Sequence, residues 1–161
     1  MTTRLELIGE HHANDVMGIC ENLRRMDWQE IFATRRNNDP VALAADVMEA
    51  KGFAWIAYVD DVPTAVIGAT ALWPGHCTVY AFGTEGWNRA VISLTRHAVR
   101  FMLPTMAETG VRLAHVYVLS AYQQARGWLR LMGFVEEAGI AGFGKGGEDF
   151  TLMTWRPQWA S

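Results

Sequence analysis

The sequence predicts an α+β domain with a mixed central sheet. Three observations lead there. Helical periodicity after a short N-terminal strand gives way, from Phe53, to strand-like alternation. Three apolar runs then follow, FAWIAYV, TAVIGATALW and HCTVYAF, separated only by the turn signals Asp60-Asp61 and Pro74-Gly75. Finally, a long helix leads into a further strand, which requires a crossover and at least one parallel pair. The expected order is β-α-α-β-β-β-α-β-α-β-β, in one domain spanning residues 1–161.

The elements follow in turn. Leu5, Leu7 and Ile8 make a short strand ended at Gly9. From His12 to about Thr34, the apolar residues Val16, Ile19, Cys20, Leu23, Trp28, Ile31 and Phe32 recur at helical spacing. Asn37 to Pro40 break that helix, and Asp39-Pro40 starts another that runs to about Ala50 and closes at Gly52. The three-strand meander comes next. A long helix, Trp87 to about Thr109, presents Val91, Leu94, Ala98, Phe101 and Met102 as its buried stripe. Pro104 kinks it or splits off its last turn, because proline lacks a backbone donor. VRLAHVYVL is a strand, AYQQARGWLRLM a helix, and Val135–Glu137 and Asp149–Trp155 are two closing strands around the glycine-rich AGFGKGG.

Composition narrows the function. Half of the residues are hydrophobic and 19% are charged, enough apolar material for a packed core. The net charge of −3 disfavours a general nucleic-acid binder. It is unevenly spread: residues 1–61 carry −5, whereas residues 87–130 carry +5. Two cysteines, Cys20 and Cys77, are too few for a disulfide framework, and no Cys/His spacing suggests zinc. The N-terminus lacks the apolar run of a signal peptide, and no window is apolar enough to span a membrane. The expectation is a cytoplasmic protein with free thiols and no metal.

Two segments carry the chemistry. VYAFGTEGWNRAVISLTRHAVRF is a strand–loop–helix unit whose helix N-terminus offers unpaired donors and partial positive charge. Gly83 and Gly86 would allow a ligand close to the backbone, and Arg89, Arg96 and Arg100 share a helix face. A plain turn is the competing reading. The second segment is VYVLSAYQQARGWLRLMGF. If the strands beside these units splay apart, an extended ligand can pair with a free strand edge. Ser120 and Tyr122 lie where the second strand ends, each a proton donor or merely a helix cap and a core aromatic.

The element order and the closing pattern ARGWLRLMGFVEE resemble the GCN5-related N-acetyltransferase (GNAT) superfamily, over about residues 4–156. The hairpin YVDDVPTAVIGA is similar to the family's second and third strands. The resemblance implies a GNAT-like fold and transfer of an acyl group from acetyl-CoA to an amine, small or on a protein. It implies that amides near Ala81, Phe82 and Gly83 polarise the thioester carbonyl, and that Thr84, Gly86, Trp87, Asn88 and Arg89 surround the pyrophosphate. Trp28 would line the acceptor side. The loop FGTEGWNRA departs from the family's Q/R-x-x-G-x-G/A, with Glu85 and Trp87 inside it. Tyr122 stands where the family often has asparagine, and Leu129 where it often has a tyrosine acid. From Val79 to Trp155, ending in GGEDFTLMTW, the chain is also similar to a divergent GNAT-like group of short-tailed phages. That implies an alternative without catalysis: virion assembly or host-protein contacts, with phage structural proteins as partners. A homodimer is a further expectation.

The remaining polar residues read as structural. His11 and His12 are expected as exposed cap residues, His76 as exposed, His97 as a surface residue and His115 as half-buried. Glu148 and Asp149 are expected at a charged loop tip and Cys77 in the core. Trp159 is expected in an exposed tail.

Overall fold

The computed structural model describes residues 1–50 and 52–157, so Trp159 lies outside the described residues. They form a seven-stranded sheet in the order β1-β2-β3-β4-β5-β7-β6. The strands are β1 (Thr3–Leu7), β2 (Gly52–Val59), β3 (Val62–Trp73), β4 (His76–Gly83), β5 (Leu113–Leu119), β6 (Val135–Ile140) and β7 (Phe150–Trp155). All neighbouring pairs are antiparallel except β4 and β5. Asp60 and Asp61 both have positive φ, 50° and 65°, which matches the twist of the β2–β3 hairpin they close. Gly75, at φ +85°, closes the next.

The expected helix from His12 to Thr34 is two helices, α1 (Ala13–Glu21) and α2 (Arg25–Ala33). The break has a tertiary cause. Arg24 is extended (φ −61°, ψ 153°), and its N–H donates to the Gly83 carbonyl at the end of β4, 2.9 Å away. A strand edge thus outcompetes local helical periodicity. Helix α3 (Pro40–Glu49) starts as expected, with the Asp39 carboxylate accepting from the Val41 N–H.

The long helix divides into α4 (Trp87–His97), a π-helical turn (Ala98–Met102) and α5 (Leu103–Glu108). In the wide turn the Leu103 N–H donates to the Ala98 carbonyl. This accommodates Pro104, which cannot donate to the preceding turn. Phe101, expected in the buried stripe, is 49% exposed, because the turn changes the helical phase. Helix α6 (Gln123–Leu131) follows β5.

Among the described residues two large cores flank the sheet, beside a smaller cluster of Ala33, Leu119, Tyr122 and Phe150. One holds Trp55, Ile67, Leu94, Met106, Val118 and Trp155; the other holds Val16, Ile19, Phe32, Leu43, Ile56 and Phe82. Neighbours such as Trp55 and Ile56 serve opposite cores, as strand alternation requires. Among the described residues no helix is long and apolar enough to cross a membrane.

Candidate functional site

Strands β4 and β5 pair only at their beginnings, His76–Thr78 with Leu113–His115. Beyond that they diverge and leave a cleft of about 440 Å³. Its walls include Val79, Ala81, Met102, Val116, Val118 and Leu129. The free edge of β4 faces into the gap. The Gly83 N–H and C=O both point away from β3, towards α2. Residues two apart on a strand address the same edge, so the Ala81 backbone groups face the cleft.

Helix α2 spans the wide end of this gap. Asp27, 2% exposed, accepts from the Gly83 N–H (2.8 Å), the Tyr122 hydroxyl (2.8 Å) and Arg24 Nε (2.8 Å). One turn later Glu30 accepts from the Leu119 N–H at 2.9 Å. The two carboxylates therefore satisfy donors at the ends of the two strands that no longer pair. The Arg24 guanidinium also lies 4.2 Å from the centre of the Trp87 ring.

Burial pushes the Glu30 carboxyl up to about 7, and the negative Asp27 adds to the rise, while the Leu119 N–H and Arg24 oppose it. Glu30 thus changes charge near neutrality at the cleft wall, a property suited to a general base. The Tyr122 phenol is shifted far upward by burial, by the charge of Asp27 and by its bond to Asp27. The phenol keeps its proton and commits it to a hydrogen bond with Asp27, so it is a poor proton donor to anything else.

Most of the residues expected to surround a pyrophosphate have protein partners. The Thr84 N–H donates to the Thr64 carbonyl (2.9 Å), Gly86 N–H to Thr84 Oγ1 (3.2 Å), Trp87 N–H to the Thr84 carbonyl (3.0 Å) and Arg89 N–H to the Gly86 carbonyl (2.9 Å). The Arg89 side chain pairs with Asp60 at 2.6 Å. Phe82 and Trp87 are buried, Trp87 edge-on to Trp128. Asn88 is exposed on the first turn of α4. The glycines serve packing: a Cβ on Gly83 would lie 2.8 Å from the Thr64 carbonyl oxygen, and one on Gly86 3.0 Å from Thr64 Cγ2. Both let the loop close onto β3.

Ser120 lies off the cleft. Its hydroxyl bonds to Thr151 Oγ1 at 2.8 Å, and its carbonyl accepts from Arg126. Tyr122 does line the cleft, with the restraint already given. His115 is 2.6 Å from His76, nitrogen to nitrogen, and Trp73 stacks on His76; none of the three lines the cleft. His97, expected at the surface, packs between Trp55 and Phe101, and burial lowers its pKa. His12, expected exposed, is buried. Among the described residues, Glu6, His11 and His12 have ligand-like spacing. However, His12 Nδ1 accepts from the Gly9 N–H at 2.9 Å, which puts the ring proton on Nε2, facing Glu6. A metal needs a lone pair there, so the group is not set for one. Glu148 and Asp149 bind Gly146 and Gly142 of their own loop. Both cysteines are buried; burial pushes Cys20 up to about 12 and Cys77 to about 11.

Arg24, Asp27 and Glu30 do not follow from periodicity alone. Their sequence signal is two acids at i, i+3 among Met26, Trp28, Ile31 and Phe32, where one turn of helix carries charge beside its apolar face.

No protein-family model matches the chain, and no curated sequence relative is found. Solved structures do match. The ribosomal-protein-S18-alanine N-acetyltransferase of Escherichia coli superposes with a TM-score of 0.72 at 12% identity, covering 96% of this chain and 94% of that one. A putative phosphinothricin N-acetyltransferase gives 0.75 at 11% identity, covering 96% and 98%. The spermidine N-acetyltransferase of Vibrio cholerae, solved with CoA and spermine, gives 0.65 at 10%, covering 98% and 97%. At these identities the likeness establishes a shared fold, the GNAT N-acetyltransferase fold.

Proposed function

We propose that the protein is an N-acyltransferase that moves an acyl group from a CoA-type thioester to an amine. One observation carries the reading: an apolar slot between two splayed strands has, at its wall, a carboxylate that titrates near neutrality.

The slot suits the acyl–pantetheine arm of such a donor. Val79, Ala81, Val116 and Val118 would flank the arm, and the Ala81 N–H would donate a hydrogen bond to the thioester carbonyl oxygen. CoA supplies a thiolate leaving group when bound; the remaining work falls to the chain. Glu30, ionised, takes a proton from the incoming ammonium. The amine lone pair then forms the C–N bond as the C–S bond breaks and its electron pair leaves on sulfur. The amide nitrogen loses one further proton, and the sulfur gains one to leave as thiol. The acidic first third of the chain favours a cationic acceptor.

The test is thiol release from acetyl-CoA across a panel of amines, including polyamines and peptides with free N-termini. Release that needs both amine and protein supports the reading. No release above background with any acceptor, together with no donor binding, would remove it. The virion-assembly alternative rests on the resemblance of Val79–Trp155 alone.

A further inference from the structure

We infer that the donor is recognised through its acyl–pantetheine arm and that its diphosphate contributes little to binding. This rests on the acyl-transfer reading above and sharpens it to a donor class. A diphosphate at a helix N-terminus is held by amide N–H groups that have no other partner. Here five of the seven N–H groups from Gly83 to Arg89, those of Gly83, Thr84, Gly86, Trp87 and Arg89, are directed to atoms of the protein, and those of Glu85 and Asn88 have no such partner among the described residues. Opening those bonds to admit phosphate oxygens exchanges one set of hydrogen bonds for another, with little net gain.

The local charges point the same way. Arg24 is committed to Asp27 and lies on Trp87, and Arg89 is committed to Asp60. Glu85, exposed in the middle of the loop, adds negative charge where a diphosphate would sit. The two loop glycines, which would otherwise permit close approach by a ligand, are filled from behind by Thr64. The arm's own site is intact: the cleft is open, apolar and bordered by a free strand edge. The chain has kept the part of the fold that grips the thioester arm and has committed most of the amides that would grip phosphate.

Calorimetric titration of the full chain with acetyl-CoA and, separately, with S-acetyl-phosphopantetheine tests this. The expected result is saturable binding of both, with dissociation constants within about tenfold of each other and little weakening of acetyl-CoA binding by added salt. Acetyl-CoA binding more than about tenfold tighter, with a steep salt dependence, would overturn the inference and leave the acyl-transfer reading standing. Binding of neither donor at millimolar concentration would overturn both.

Discussion

Asp27 and Glu30, one turn apart on α2, take the terminal N–H groups of opposite strands: Gly83 of β4 and Leu119 of β5. A helix has thereby replaced the strand pairing that stops at Thr78 and His115. The replacement keeps the gap open along its length and closes it only at the wide end. It also places two carboxylates in surroundings where one of them, Glu30, loses its charge near neutral pH.

Replacing Glu30 tests both consequences. Its pKa in the fold is raised, so the folded state holds the proton more tightly than the unfolded chain. The stabilisation this gives is complete below the ordinary carboxylate range and is lost as pH rises through about 7. Above that, the ionised group costs on the order of 3 kcal/mol. Glu30→Gln keeps an acceptor for the Leu119 N–H and cannot ionise. Its Tm should exceed the wild type's at pH 8 and converge with it near pH 5. Turnover should fall by about 100-fold or more and lose the rise through pH 7 seen in the wild type. An unchanged pH–rate profile would remove Glu30 from the chemistry.

Tyr122→Phe separates structure from catalysis. The phenol donates to a buried carboxylate, so its loss should cost about 1.5–3 kcal/mol in denaturant unfolding. Turnover of the folded variant should stay within about threefold of wild type, with the same pH profile. A large loss of turnover would make Tyr122 the proton donor after all. Asp27→Asn, which breaks the buried pair with Arg24, should be costlier, about 3–5 kcal/mol.

Gly83→Ala probes the loop. The added Cβ would meet the Thr64 carbonyl oxygen at 2.8 Å and the Trp87 ring at 3.0 Å. Destabilisation of about 1–3 kcal/mol is expected. A neutral effect would show that the loop is free to move off β3, which would release the Thr84 N–H from Thr64.

The thiols should be silent. With Cys20 and Cys77 held well above their ordinary range by burial, almost no thiolate exists at pH 8. An aromatic disulfide reagent should label neither in the folded protein and both in denaturant. Labelling of the folded chain would show that the core around them opens.

Much of the fold was legible in the sequence. The meander follows from alternation and two turn signals, and Pro104 announced the division of the long helix. What was not legible depended on distant partners. The break at Arg24 needs the Gly83 carbonyl, and the Thr84 N–H needs the Thr64 carbonyl, neither of which is close in sequence. Gly83 and Gly86 read as ligand-facing or as a plain turn, because glycine marks close approach without saying to what. Asp27 and Glu30 acquire their roles only from the two strand ends that arrive beside them. Cys77, by contrast, read correctly as core, since its strand neighbours fix its burial locally.

The most direct measurement is a backbone amide NMR titration of the full chain with acetyl-CoA. The largest shifts should fall on Val79, Ala81, Val116 and Val118, which line the cleft, and saturate together. No shift at millimolar donor, or shifts confined to residues away from β4 and β5, would contradict the assignment of this cleft as the donor site.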